Sequence, residues 1–118
     1  MYDFFEGRLA EKTPTYAVLE VQGVGYFLNI SLNTFSLLPE EGKNYRLYVH
    51  LVVKEDAHLL YGFSGLDERE LFRQLIGVSG VGAGTARMIL SSLSPKDIVD
   101  AIVTGNAPML LRINSFNS

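Results

Sequence analysis

LIGVSGVGAGTARMIL, residues 75–90, is the stretch that decides the fold of the second half of this chain. Its glycines lie between two segments whose apolar residues recur at helical spacing. Gly80 and Gly82 allow a positive φ and a close approach of the backbone, and Val81 between them is expected to point inward. The stretch therefore predicts two helices joined by a very tight turn.

The turn between these helices is a candidate phosphate-binding element. N–H groups at the start of a helix lack intrahelical partners and bind phosphate oxygens well. Glycines alone would also fit an ordinary helix-to-helix turn, but the apolar residues before and after the turn match the whole helix-hairpin-helix pattern. A nucleotide-binding loop is excluded, because no strand precedes the glycines and the Walker lysine with its Ser/Thr is missing. The candidate DNA-binding residues of the turn are Val78, Ser79, Gly80, Val81, Gly82, Ala83, Gly84, Thr85 and Arg87.

The chemistry of such a contact limits what it recognises. Phosphates position a protein but carry no base code, so the expected specificity is for DNA shape. Thr85 and Arg87 would add a hydroxyl and a charge to the phosphate contact, or they are solvated surface residues.

Helical patterns continue on both sides of the turn. Asp67 and Glu68 in a first turn favour a helix over Leu66–Ile76, and a second helix is expected over Ala83–Leu93. Ser94-Pro95-Lys96-Asp97 is typical of a helix start, and Gly105 would end that third helix. A short final helix is expected from Asn106 or Ala107 through Leu111.

The first half of the chain has the period of strands. Short runs rich in aromatic and β-branched residues are separated by turn signals. The predicted strands are Phe4–Ala10, Tyr16–Val21, Tyr26–Ile30, Tyr45–Val53 and Ala57–Phe63. They favour a closed five-stranded OB-type barrel, although an SH3-like barrel would give a similar pattern. The expected class is α+β, with a barrel domain over residues 1–64 and a helix-hairpin-helix domain over residues 65–118.

Composition and charge exclude several classes of protein. The chain has 118 residues, 47% of them hydrophobic and 19% charged, which predicts a packed structure. It has no cysteine, so a disulfide scaffold and a thiolate metal site are excluded. No apolar run approaches the roughly 20 residues that span a bilayer, and a cytoplasmic protein is expected. The net charge of −3 means that any DNA contact must be local.

The turn Lys54-Glu55-Asp56 is the other informative feature. From its chemistry alone the pair Glu55 and Asp56 is a solvated hairpin tip. Neither His50 nor His58 has companions at metal-binding spacing, so no metal, cofactor or catalytic residue is predicted. The aromatic side chains of the barrel would form its core or a stacking platform for single-stranded bases.

Together these motifs resemble those of the RuvA family of bacterial Holliday-junction-binding proteins. The resemblance covers nearly the whole chain and rests on five segments in order: Gly23-Val24-Gly25-Tyr26, Lys54-Glu55-Asp56-Ala57, Leu60-Tyr61-Gly62-Phe63, Glu68–Phe72 and Gly80-Val81-Gly82.

The resemblance implies a function in recombination and DNA repair. Members form tetramers, or two tetramers sandwiching the DNA, that hold a four-way junction open and direct a RuvB-type ATPase motor for branch migration. Glu55 and Asp56 would form an acidic pin that repels phosphates at the junction centre, and Lys54 joins the candidate DNA-binding residues. A nucleoid-associated, non-catalytic subunit of a helicase complex, part of the SOS response, is expected.

The chain departs from the family pattern at two places. Gly84 stands where relatives usually carry a lysine, which leaves the amides and Arg87 to hold the phosphate. A second Gly-apolar-Gly hairpin is expected after Leu111 or Arg112, but Ile113-Asn114-Ser115-Phe116-Asn117 stands there. A C-terminally truncated form is therefore expected, one that binds junctions weakly and lacks the domain that recruits the motor.

Two other functions fit the sequence. In the first, the chain is an assembly or protein-interaction module that has lost DNA binding by truncation. In the second, it is a fragment of a nuclease or ligase, which would require a cluster of metal-binding carboxylates that the scattered acids do not provide.

Overall fold

The computed structural model describes the backbone of residues 1–117 and the side chains of residues 1–112. The chain forms two compact units, a barrel unit over Met1–Arg69 and a helical unit from Glu70 onward. Among the residues described, no helix is long and apolar enough to cross a lipid bilayer.

The barrel unit contains a closed sheet of five strands. Its strands are β1 (Phe4–Lys12), β2 (Tyr16–Val21), β3 (Val24–Asn29), β4 (Asn44–Val53) and β5 (His58–Phe63). The order around the barrel is β1-β2-β3-β5-β4, and all neighbours are antiparallel except β3 and β5. This arrangement is consistent with an OB-type barrel, and its closure removes exposed sheet edges.

Alternation along the strands produces the barrel core. Leu9, Leu19, Leu28 and Leu47 are fully buried, whereas neighbouring residues such as Arg8 and Glu20 face outward. The turn between β2 and β3 is short, with a positive φ at Gln22 (50°) and Gly23 (86°). A hairpin with this turn matches the right-handed twist of its strands.

Gly7 marks the tightest backbone approach in the barrel. It pairs with Tyr45 of β4, and a Cβ added to it would lie 2.2 Å from the carbonyl oxygen of Glu20 in β2. Since that oxygen belongs to the backbone, no side-chain rotation could make room for a methyl group. A residue without a side chain is therefore required where β1 passes between its two partner strands.

A short helix, α1 (Leu32–Leu37), follows β3 and is missing from the strand-based prediction. Ser31 caps it, because the Ser31 hydroxyl accepts a hydrogen bond from the Thr34 amide at 3.1 Å. Six residues are too few to establish a helical period in a sequence, so only the cap signalled this element.

The helical unit completes the chain. Its helices are α2 (Leu66–Ile76), whose first turn belongs to the barrel unit, α3 (Ala83–Ser92), α4 (Pro95–Val103) and α5 (Ala107–Asn117). As predicted, Ser94 caps α4 by accepting from the Asp97 amide at 3.2 Å. The buried core is Phe72, Leu75, Val81, Ala86, Ile89, Leu90, Ile98, Ala101 and Leu110.

The final helix is longer than predicted. The sequence predicted an end near Leu111, but the backbone stays helical through Asn117. The reason is that neither glycine nor proline follows Pro108, so no residue stops the helix. Ser118 lies outside the described residues.

Candidate nucleic-acid interface

The tight turn between α2 and α3 forms where the glycines predicted it. After α2 the amides of Gly77 and Val78 donate to the carbonyls of Gln74 and Leu75 at 3.2 and 2.9 Å. The Val81 amide then donates back to the Val78 carbonyl at 3.0 Å. Gly80 has φ 86°, a conformation that L side chains rarely adopt. These hydrogen bonds and the positive φ make a tight turn between the two helices.

The side chain of Val81 is buried on the inner side of this turn. It is only 5% exposed and belongs to the buried core of the helical unit. The flanking Gly80 and Gly82 are exposed, so the apolar residue points inward while the glycine backbone faces solvent, as predicted. A backbone that faces solvent is available for contact with a ligand.

Gly82 opens the N-terminus of α3. It is the N-cap residue, with an extended backbone (φ −87°, ψ 177°), and its carbonyl accepts from the Ala86 amide at 2.9 Å. Because glycine has no side chain, the N-cap residue makes no side-chain hydrogen bond to the amides that follow it, those of Ala83, Gly84 and Thr85. A Cβ placed on Gly82 or Gly84 would meet no atom within 4 Å. The geometry suits an anion at the positive end of the helix dipole.

The polar side chains of α3 lie beyond this amide group. Thr85 and Arg87 are half-buried, and the Arg87 carbonyl accepts a hydrogen bond from the Ser91 hydroxyl at 3.0 Å. The predicted residues Val78 through Gly82 therefore form the turn, and Ala83, Gly84, Thr85 and Arg87 follow in α3.

The acidic turn Lys54-Glu55-Asp56 connects β4 to β5 in the barrel unit. All three side chains are exposed, and the Lys54 amide donates to the Ala57 carbonyl at 2.8 Å, which closes the turn. Lys54 thus accompanies the two carboxylates and belongs to a different unit from the glycine turn.

The two units differ in net charge. Up to Arg69 there are ten acidic and six basic residues, a balance of −4. From Glu70 onward there are three acidic and four basic residues, a balance of +1. The excess of negative charge is therefore confined to the barrel unit, and the glycine turn lies in a nearly neutral unit that repels phosphate less.

Arginines on the barrel surface are held by acids. Arg8 lies 3.0 Å from Glu20 and Arg46 lies 3.0 Å from Glu6, and the hydrogen bond from each guanidinium to its carboxylate raises the pKa of that arginine. Arg69 pairs with Asp3 at 2.8 Å. Because each of these charges is already compensated, the three arginines add little attraction for phosphate.

Several aromatic rings of the barrel stack on one another or lie against a cation. Phe5 stacks on Tyr26 with centroids 4.1 Å apart, and Tyr16 stacks on Phe27 at 4.5 Å. The Arg46 guanidinium lies over the Phe4 ring, 3.9 Å from the ring centroid. Ring faces used in these contacts are not free for stacking with bases, which weakens the alternative of a single-strand platform.

A buried polar cluster in the barrel unit escaped the sequence reasoning. Glu68, which is 8% exposed, accepts hydrogen bonds from Ser31 at 2.8 Å, from Asn33 at 3.0 Å and from the Thr34 hydroxyl. The donors are more than thirty positions away in sequence. The N-cap pattern at Ser31 was the one available signal. Within the described part of the chain, no three His, Cys, Asp or Glu residues are placed to hold a metal ion.

Comparison with known proteins agrees with this architecture. The model of the RuvA N terminal domain family matches residues 1–62. A protein of Christiangramia forsetii is 55% identical over 88% of this chain and 53% of its own length. For relatives from Bacteroides thetaiotaomicron and Coxiella burnetii the identities are 51% and 48%, over 93% and 96% of this chain and 54% and 56% of their lengths. All three are named Holliday junction branch migration complex subunit RuvA.

These matches are sufficient to assign the family. The chain belongs to the RuvA family and spans about half the length of the curated relatives that it matches.

Proposed function

We propose that this member of the RuvA family binds four-way DNA junctions without catalysing a reaction. In this proposal residues 1–64 form the barrel domain and residues 65–118 form a helix-hairpin-helix domain that contacts DNA. The observation that carries the proposal is the turn at Gly80-Val81-Gly82, which presents the uncapped N-terminus of α3.

The contact would be made by backbone amides. Those of Ala83, Gly84 and Thr85 begin α3 and would donate to a phosphate oxygen, with Arg87 adding charge from the same helix. Val78, Ser79 and Val81 would shape the approach of the DNA backbone. Since no base edge is read, the binding would distinguish DNA by shape and not by sequence.

The acidic turn would repel phosphates instead of binding them. Glu55 and Asp56 are exposed at the tip between β4 and β5, in the unit whose charge balance is −4. In a homotetramer, or in two tetramers on one junction, copies of this pin would gather at the junction centre and repel phosphates there. Lys54 beside the pin would offset part of that repulsion at a nearby strand.

The role of the whole protein would lie in branch migration during recombination and repair. The relatives are named as subunits of a branch migration complex, so we propose that a RuvB-type ATPase motor is directed to the junction by the full-length protein. Motor ATPase activity measured on junction DNA with and without this chain tests whether residues 1–118 suffice.

A band-shift series tests the binding itself. Labelled four-way junction, duplex and single strand of the same sequence are titrated with the chain, and a clear preference for the junction is expected. Absence of binding at micromolar protein would instead support the assembly-module alternative. Cleavage of the junction in the presence of Mg²⁺ would support a nuclease. The mass in solution with and without the junction tests the tetramer.

One substitution separates phosphate contact from stability. Gly82→Asp places a carboxylate at an N-cap with extended backbone and open space, which stabilises the helix start while occupying and repelling the phosphate site. We expect an unchanged or higher unfolding temperature with junction affinity at least about tenfold weaker.

Gly82→Ser is the matched control, because it caps the same amides without a charge. It should weaken binding less than Gly82→Asp at low salt, and the difference should shrink as salt rises. Wild-type affinity in the Gly82→Asp chain would exclude the α3 N-terminus as the phosphate site.

A further inference from the structure

Gly80 and Leu111 lie against each other at the edge of the core of the helical unit. A Cβ built on Gly80 would lie 3.3 Å from Cδ2 and 3.6 Å from Cδ1 of Leu111. The side of Gly80 that a side chain would otherwise fill is therefore occupied by the two methyl groups of a leucine in α5. No motif in the sequence pairs these residues, which are about thirty positions apart.

The helix that contains Leu111, α5, packs closely in the helical unit. α5 packs against both α3 and α4, and the adjacent Leu110 is only 1% exposed in the core of the unit. Leu111 itself is half-buried, so it lies at the edge of that core where the glycine turn passes. The turn is thus backed by a helix whose own position is set by packing.

Such backing matters because this turn is rich in glycine. Gly77, Gly80, Gly82 and Gly84 would each explore more backbone conformations than any other residue if nothing restrained them. Amides that must converge on one phosphate oxygen bind it best when they are already held in position, since ordering them on binding would cost affinity.

We propose that Leu111 is a positioning residue for phosphate binding, holding the turn at Gly80 so that the amides at the start of α3 keep their orientation. This inference rests on the proposed function, and it assigns to α5 a task in DNA binding without any contact between Leu111 and DNA.

The test compares three variants of the chain by fluorescence titration of a four-way junction. Leu111→Ala removes the methyl groups and should weaken binding about fivefold. Leu111→Met keeps most of the side-chain volume and should bind the junction with an affinity within about twofold of the wild type. Val103→Ala, at a side chain that is 79% exposed in the same unit, should bind like the wild type.

Two further readouts separate positioning from a loss of folding. Thermal unfolding followed by helical circular dichroism establishes that each variant is folded at the titration temperature. Hydrogen exchange without DNA should then be faster in Leu111→Ala at the amides of residues 80–85 than in the other variants.

A double-mutant cycle tests the pair directly. Gly80→Ala is strained by its positive φ in any background, but its methyl group also meets Leu111. The loss of junction affinity caused by Gly80→Ala should therefore be smaller in the Leu111→Ala chain than in the wild type.

The outcomes are distinguishable. A wild-type chain that does not bind the junction overturns the proposed function, and this inference fails with it. The inference alone is overturned if Leu111→Ala binds the junction as tightly as the wild type. It is also overturned if Val103→Ala or Leu111→Met binds as weakly as Leu111→Ala. Additive effects of Gly80→Ala and Leu111→Ala do so as well.

Discussion

The contacts within the barrel unit and those within the helical unit join residues at different distances along the sequence. In the barrel, β1 pairs with β4 across more than thirty residues, whereas the glycine turn joins two helices that are adjacent in sequence. The barrel surface carries paired charges and a negative balance, and the helical unit exposes glycine backbone at a helix start. Long-range strand pairing brings backbones so close at Gly7 that no side chain fits there, and local helix pairing leaves backbone amides open to a ligand.

The distribution of aromatic residues makes the two units separately observable. All six tyrosines precede Arg69 and the chain has no tryptophan, so tyrosine fluorescence reports on the barrel unit alone. Helical circular dichroism reports mainly on the helices from Leu66 onward. The comparison between the units can therefore be tested with two signals from one sample.

The largest effect is expected from Gly7→Ala in the barrel. The new methyl group would meet the Glu20 carbonyl oxygen, which lies 2.2 Å from an ideal Cβ at this position. Since a backbone atom cannot rotate away, we expect a loss of at least about 4 kcal/mol in the free energy of unfolding. Urea unfolding followed by tyrosine fluorescence measures it.

Gly25→Ala is the matched strand control, because its Cβ would make only an ordinary 3.4 Å contact with Val18. A Gly7→Ala protein as stable as Gly25→Ala would show that the β1–β2 approach tolerates a methyl group and does not require glycine.

Next in size is Ile89→Ala in the helical unit. Ile89 is fully buried in α3, and the cavity should cost about 3 kcal/mol. We expect the transition seen by circular dichroism to shift while the tyrosine transition stays nearly unchanged. Equal shifts in both signals would mean that the two units unfold as one, which would contradict the contrast between them.

A smaller loss is expected from Glu68→Ala. It leaves the buried hydroxyls of Ser31 and Thr34 without their shared acceptor, at a cost of about 2 kcal/mol. Tyrosine fluorescence in urea should detect the change.

Glu70→Ala, at an exposed position of the same helix, should change the free energy of unfolding by less than about 0.5 kcal/mol. If both alanine variants were equally stable, the cluster around Glu68 would have no energetic role in the barrel unit.

The smallest effect is expected on the barrel surface, at Tyr16. Its hydroxyl donates to Glu11 at 2.5 Å, and this hydrogen bond raises the pKa of the Tyr16 phenol above its usual 10.0. A raised pKa stabilises the fold below pH 10 and that stabilisation is lost as the pH rises through the raised value. Because this hydrogen bond is exposed to solvent, Tyr16→Phe should shift the thermal midpoint at neutral pH by no more than its experimental error. A large shift at neutral pH would show that exposed pairs contribute more to the barrel than we expect.

Local patterns predicted much of the secondary structure. The bounds of α2 match those predicted from helical spacing, and β2 begins and ends at the predicted residues, Tyr16 and Val21. The Ser94 cap was also predictable, since a cap depends on neighbours three residues away. The length of α5 and the short helix α1 were not, because the first lacks a stop signal and the second is shorter than two helical turns.

The sequence by itself determined where the five strands and all helices but α1 lie, the inward position of Val81 and the family, because these depend on spacing along the chain. Only the tertiary structure decided the order of strands around the barrel, the backbone contact at Gly7, the burial of Glu68 among three donors, and the contact of Leu111 with Gly80. Each of these joins residues far apart in sequence, and no local spacing encodes which distant partner a side chain will meet. For the glycine turn, the sequence therefore predicted its presence and its inward valine, and the fold supplied the leucine that backs it.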